Sequence, residues 1–479
     1  MLSLKGVFVI DRRLFVAASA GAGAMALAGC SSQSSASDPG SDSESGHIRS
    51  ITAITQVYGV GQKLIAVAVE YDTAIDTSKL TKSTFKVSGR TVTKVYANRA
   101  AALADSGSDG RYVIVEMSPD DTAAALWVTQ QGSGSASGSP TQSQSSTASP
   151  SASSSASGGS GDAPGGGGPG VGDSTPGGTI KAAKATLVQK ADVTTTSGVS
   201  YPAGSTELTT TAVKNLIVDD FEQFTYKDSA TGETLKYNLF TPKNYDSGKS
   251  YPLVLFMHDA SVVNVATVGP LVQGLGAVCW ASPEDQAKHE AFVLAPEYGS
   301  VVVDDEYKPS PLFDATADLV LAVTKKYSVD PKRRYATGQS MGAMMSLGLN
   351  IKYPDLFAAS FIVAGQWASD ESAPLADTKL WVVVSQDDTK AYPGENAIMK
   401  VIKAEGTKVA TDVLDAQATQ AQSATVVRGV VAQKAPVNYT PYQAGTVVTS
   451  GSGVSAHMAT WHHAYTIPGI RDWIMQQSL

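Results

Sequence analysis

A serine framed by glycines, Gly338-Gln339-Ser340-Met341-Gly342, follows the short apolar run Arg334–Thr337 and leads into Met341–Lys352, a stretch of helical character. With 44 glycines in the chain the pattern G-x-S-x-G is weak by itself. Its setting makes it strong, because this single match lies between a predicted strand and a predicted helix and not in the Ser/Gly-rich segment. In so tight a turn, side chains at 338 and 342 would collide with neighbouring backbone, and the turn lifts the Ser340 hydroxyl clear of the sheet. The helix start brings partial positive charge and the free N–H of Met341 to where an oxyanion would form. The chemistry of such a serine is attack on a carbonyl carbon. A serine hydroxyl is a poor nucleophile at neutral pH, so it needs a base, and the base needs an orienting carboxylate.

Six histidines exist: His47, His258, His289, His457, His462 and His463. The cluster from Ser455 to His463 falls after the last core strands, where the base is required. For the acid, Asp387 and Asp388 sit just past the apolar run Leu380–Ser385, at the edge of the sheet where ligands meet open α/β folds.

From Asp220 onward the pattern is α/β. Phe224–Lys227 and Thr234–Phe240 read as a hairpin, and Leu253–Met257, Ala291–Ala295, Arg334–Thr337, Phe361–Val363 and Leu380–Ser385 are apolar runs of the fully buried kind. Helical stretches such as Ala315–Tyr327 lie between them, which predicts a mostly parallel sheet covered on both faces. Asp388 and His457 are separated by 68 residues, more than a strand-helix connection needs, so part of Asp415–Ser450 is expected to cover the site as a lid. Met344, Met345, Leu347 and Leu349 read as core.

Before this region, alternation returns the signature of a small β-sandwich over 47–218, with Ile65, Val67, Val69 and Tyr71 on one strand face and further strands at Tyr112–Met117 and Ala125–Thr129. Residues 132–178 are nearly all Ser, Gly, Pro, Ala and Thr and cannot form a core. The β-type stretches after them are read as completing the same sandwich. The spacer is then a loop insertion, tolerated because closure entropy grows only logarithmically with length.

The formal charge is −8, and residues 1–29 contribute +2 (Lys5, Arg12, Arg13 against Asp11), leaving −10 for the rest. An acidic surface repels phosphate backbones and argues against nucleic-acid binding. Two cysteines, Cys30 and Cys279, are too few for a disulfide framework or a four-cysteine zinc site. Residues 1–29 read as a signal peptide, with a basic pair, the apolar run Leu14–Leu27 and a small-residue ending, followed by a polar tether over 30–46. Leu27-Ala28-Gly29-Cys30 resembles the lipobox of bacterial lipoproteins, and Asp11–Val16 a twin-arginine signal. That likeness makes Cys30 a lipidated first residue and the chain an exported lipoprotein on the outer face of a bacterial membrane.

The segments Tyr251–His258, Phe292–Pro296, Arg334–Gly342, His457–Trp461 and Ile470–Ile474 together resemble secreted bacterial α/β-hydrolase esterases. This group includes members with an N-terminal immunoglobulin-like domain and is related to polyhydroxybutyrate-depolymerase and feruloyl-esterase types. The resemblance implies an α/β-hydrolase domain over 219–479 behind an Ig-like sandwich. It makes Ser340 the nucleophile, His457 the base and Asp388 the acid, with oxyanion N–H groups from Met341 and from Ala260 or Asp259 and no metal or cofactor. It implies carboxylic ester hydrolysis, with polymeric or plant-derived esters among the substrates. One departure stands out: the family has His-Gly after its third strand, where this chain has His258-Asp259, and a carboxylate beside a developing anion is harmful unless it points away. His258 reads as a structural loop residue. Two other readings stay open, a serine peptidase of the same fold and a surface-attached binding protein whose hydrolase domain is degenerate.

Overall fold

The computed structural model describes residues 46–129, 177–448 and 453–479. The signal peptide, Cys30, the tether and nearly all of the 132–178 spacer lie outside them.

The N-terminal part is a β-sandwich. Ala212–Asn215, Ile48–Tyr58, Gly61–Ile75, Gly110–Met117 and Val92–Asn98 form one sheet in that order, and Leu208–Thr209, Thr186–Gln189 and Phe85–Val87 form a second. Strands from both sides of the spacer thus share each sheet. Alternation sets what points inward: Phe85 and Val87 are buried while Lys86 between them is exposed. Leu64, Val67, Val69, Tyr71, Val113, Val115 and Leu187 close the core between the sheets. Ile65 departs from the expected face, because the pairing of Ile48–Tyr58 with Gly61–Ile75 slips between Ile54↔Ala66 and Thr55↔Leu64, a bulge that leaves Ile65 out of register.

The C-terminal part is one nine-stranded sheet. Its strands are β1 (Phe221–Lys227), β2 (Thr234–Phe240), β3 (Tyr251–Met257), β4 (Phe292–Glu297), β5 (Val329–Gln339), β6 (Ala359–Val363), β7 (Leu380–Val383), β8 (Val409–Thr411) and β9 (Val437–Tyr439). Their order is 1-2-4-3-5-6-7-9-8, and β2 alone runs against the others. Helices α1 (Pro311–Lys326), α2 (Met341–Lys352), α3 (Ala391–Ala404), α4 (Gln420–Ala432), α5 (Ala456–Ala464) and α6 (Ile470–Met475) connect or follow them. All seven residues of β3 are buried, as a central parallel strand covered on both faces requires. Each fully buried Leu, Val or Phe there contributes roughly 1.5–3 kcal/mol. This is the α/β-hydrolase fold.

Much of the interval expected to hold a lid is helix and sheet, and its residues Gly445 and Val447 lie against Asp387 and His463. Within 415–450, α4 starts with a capping box of Thr419 and Gln422 and crosses from β8 to β9, so the long interval extends the sheet by two strands. Its low charge and scattered apolar residues fit an edge helix with only Val427 and Val430 buried, which leaves no clear helical period in the sequence.

Val57 and Trp127 of the sandwich join the buried cluster of the hydrolase domain. The hairpin turn after Tyr58 reaches α5: a Cβ on Gly59 would stand 2.0 Å from the carbonyl oxygen of His462.

Candidate active site

β5 ends at Gln339, and Ser340 occupies the turn into α2 with φ 51° and ψ −118°. A non-glycine residue at positive φ is strained by about 1–3 kcal/mol and persists only where its surroundings enforce it. Here the N–H of Ser340 donates to the carbonyl of Val363 at 3.1 Å, and the flanking glycines permit the close approach. A Cβ on Gly342 would lie 1.9 Å from the carbonyl oxygen of Met257, and one on Gly338 would lie 2.4 Å from Gly342 backbone.

Asp388 stands in the loop between β7 and α3, buried, with Oδ1 accepting from the N–H groups of Lys390 (3.1 Å) and Ala391 (2.8 Å). Its Oδ2 lies 2.6 Å from His457 Nδ1. Burial alone would push this carboxyl up. The His457 hydrogen bond and charge, with the two N–H donors, outweigh it and hold the carboxyl below its ordinary value. An ionised carboxylate only accepts, so Nδ1 carries the proton and Nε2 is left to accept. Nε2 lies 2.8 Å from Ser340 Oγ. His457 sits in the first turn of α5, whose N-cap Ser455 accepts from the N–H of Met458, and the Trp461 ring stands edge-on to it at 5.2 Å between centroids. The structure therefore brings Ser340, His457 and Asp388 into one hydrogen-bonded row.

Asp387 is turned away, with Oδ2 accepting from the N–H of Gly445. His463 Nε2 faces the carbonyl of Val447, and His462 is enclosed and pushed down to about 4 by burial, with its neighbour His463 adding to the effect. His258 is fully buried, with Nδ1 on the carbonyl of Asp259 and Nε2 accepting from the N–H of Tyr298, and burial pushes it down to about 4. It props the loop after β3 and does not reach the serine row.

The N–H groups of Met341, Asp259 and Ala260 have no acceptor among the described residues. Ala260 opens a short 3₁₀ turn, Ala260–Val262, and Asp259 caps it. The Asp259 carboxylate is fully engaged: Oδ1 accepts from the N–H and the hydroxyl of Ser261, and Oδ2 from Gln339 Nε2 at 2.8 Å. Gln339 Nε2 also donates to Gln273 Oε1 at 3.2 Å. The partnership of Asp259 with Gln339 is not legible in the sequence, since nothing in their spacing shows that β3 and β5 are neighbours.

Glu395 was missed as well. It lies on the buried stripe of α3 with Ala391, Ile398, Met399 and Ile402, and a charged residue on that stripe was the available signal. Burial raises its carboxyl well above the ordinary value, against the N–H of Gly365 and helped by the charge of Asp388. A neutral Glu395 leaves Asp388 without a charged carboxylate neighbour there. Cys279 is a buried free thiol pushed up to about 12 by burial, hence unreactive packing. Among the described residues no group of three or more His, Cys, Asp or Glu side chains could hold a metal ion, and no helix is long and apolar enough to cross a membrane.

Fold and site define an α/β-hydrolase with a serine-histidine-aspartate constellation at the carboxyl edge of its sheet. Residues 229–443 match the Esterase family, and residues 50–202 match the esterase Ig-like N-terminal domain. The chain thus combines a region that matches the Esterase family with an esterase Ig-like region in front of it. The crystal structure of a thermostable esterase is 25% identical, with a TM-score of 0.70 over 90% of this chain and 100% of that one. Probable feruloyl esterase C of Aspergillus terreus is 28% identical over 131 residues, 27% of this chain and 46% of that protein. Probable acetylxylan esterase A of Aspergillus flavus is 42% identical over 52 residues, 11% of this chain and 17% of that protein. The chain thus spans less than half the length of these two fungal relatives.

Proposed function

We propose that the protein hydrolyses carboxylic esters through a Ser340 acyl-enzyme. The observation that carries this reading is the row Ser340 Oγ, His457 Nε2, His457 Nδ1, Asp388 Oδ2, with separations of 2.8 and 2.6 Å. Ser340 Oγ attacks the ester carbonyl carbon while His457 Nε2 takes its proton, and Asp388 holds the imidazolium. The oxyanion meets the N–H groups of Met341 and Ala260, each such donor being worth about 2.7–4 kcal/mol. Collapse expels the alcohol, protonated by His457, and water then repeats the sequence on the acyl-enzyme. The clash expected from Asp259 is avoided because its carboxylate is tied into Ser261 and Gln339.

For substrate we favour acyl esters of plant-derived material, a choice supported by the names of the two fungal relatives. The reading also includes export and a lipid anchor at Cys30, resting on the sequence features of residues 1–30. The test is a panel of p-nitrophenyl acyl esters, feruloyl esters, acetylated xylan and aminoacyl amides with the soluble protein beside Ser340→Ala. Ester turnover lost in the variant supports the reading, and amide turnover in its place overturns it. Membrane retention of Cys30→Ala would overturn the anchor.

A further inference from the structure

We infer that Asp259 is a positioning residue, which spaces the two oxyanion N–H donors by bridging the loop after β3 to the turn after β5. The inference deepens the serine-hydrolase reading and rests on it.

The two strands are neighbours, and their parallel ladder ends at Met257↔Gly338. Both proposed donors lie beyond that end, Ala260 on one loop and Met341 on the other. No backbone ladder fixes their separation. The Asp259 carboxylate spans the gap: one oxygen holds the 3₁₀ turn that Ala260 opens, through Ser261, and the other takes the side-chain N–H of Gln339, the residue before the nucleophile. Asp259 is 4% exposed and Gln339 1%, so water does not compete effectively with this bond. Glycine at position 259, which the resembled esterases carry there, could supply neither the cap nor the bridge. Gln339 is further seated on Gln273, a buried residue, so the amide arrives in a fixed orientation.

A bridge of this kind acts where charge develops and leaves the ground-state substrate alone. Loss of one whole oxyanion donor lowers kcat about 10²–10³-fold, and loosening the spacing of two donors should cost a fraction of that, about 10- to 100-fold. KM should stay within about threefold.

The experiment measures kcat and KM on one p-nitrophenyl ester for the full chain and for Asp259→Ala, Asp259→Asn, Gln339→Met and the double variant Asp259→Ala/Gln339→Met, with active sites counted by fluorophosphonate titration to completion. Asp259→Ala and Gln339→Met are each expected to lower kcat per active site by about 10- to 100-fold, and the double variant should be no worse than the worse single one. Asp259→Asn should keep activity within about threefold, since its oxygen can still cap Ser261 and its amide can donate to a reoriented Gln339. Gln339→Met leaves the cap intact and serves if Asp259→Ala fails to fold. An unchanged kcat in either single variant, or losses that multiply in the double, would overturn the positioning role. If the parent hydrolyses the ester and Ser340→Ala does not, such a result removes only this inference. A parent without Ser340-dependent turnover removes the underlying reading, and the inference falls with it.

Discussion

Asp388 and His457, 69 positions apart in the chain, meet at 2.6 Å, while the adjacent Asp387 spends its carboxylate on the N–H of Gly445. The two neighbouring acids therefore have different work. Asp388→Asn, which permits the wrong imidazole tautomer, should lower kcat by about 10²–10⁴-fold. Asp387→Asn should stay within about threefold, its bond to Gly445 being an exposed loop contact of about 1 kcal/mol. Initial rates on a p-nitrophenyl ester separate them, and a reversed order would move the acid to Asp387.

Two buried histidines should make part of the stability acid-sensitive in a defined window. His258 and His462 are held at about 4 by burial, against about 6.5 in an unfolded chain. Between those values the unfolded chain binds more protons at these two sites, so their contribution to stability is full above about pH 6.5, falls as pH drops toward 4, and levels below it, while the raised carboxyl of Glu395 works in the opposite sense, its contribution being lost as pH rises. Asp388, held below its ordinary value, adds a further loss only at still lower pH. Between pH 7.5 and 4.5 the melting temperature of His462→Gln should lose ground to acid less than the parent's does, and the variant should keep most turnover. Identical pH slopes would contradict the assignment.

Segment 130–177 should be dispensable. Thr129 pairs with Gly178 across an antiparallel ladder of Trp127–Thr129 with Gly178–Ile180, so the segment's two ends lie side by side. Replacing residues 131–176 by a short Asn-Gly-containing turn should leave the melting temperature within a few degrees and kcat within about twofold. A collapse of either would show that the segment does more than connect.

The sandwich should matter to the base. Gly59 abuts the carbonyl of His462 on α5, the helix that carries His457 in its first turn. Gly59→Val forces that contact apart, at a cost on the order of 1–3 kcal/mol for an overpacked site. The melting temperature should drop by several degrees and kcat should fall with it, whereas Gly429→Val, on the exposed face of α4 with open space around it, should lower neither. Equal behaviour of the two variants would sever the sandwich from the site.

The fold class was legible because buried parallel strands are continuous apolar runs, and β3, β4, β6 and β7 each show one. Ser340 was legible because its glycines leave a local mark. What escaped is non-local or noisy: the Asp259–Gln339 bridge depends on strand order, the Ile65 bulge on register, and α4 on an apolar period too weak to separate an edge helix from a loop. Glu395 stood in plain view on an otherwise apolar stripe, but its effect on Asp388 needs the distance between α3 and the acid loop. Strand order and packing distance are tertiary quantities, which a single sequence encodes without displaying.

Ser340, activated by His457, is expected to be the group that takes the acyl chain. The decisive measurement is reaction of the full chain with a fluorophosphonate and mapping of the adduct by peptide mass spectrometry. One adduct on the peptide that carries Ser340 is expected, absent in Ser340→Ala and strongly slowed in His457→Ala. A label on any other residue, or undiminished labelling of Ser340→Ala, would contradict it.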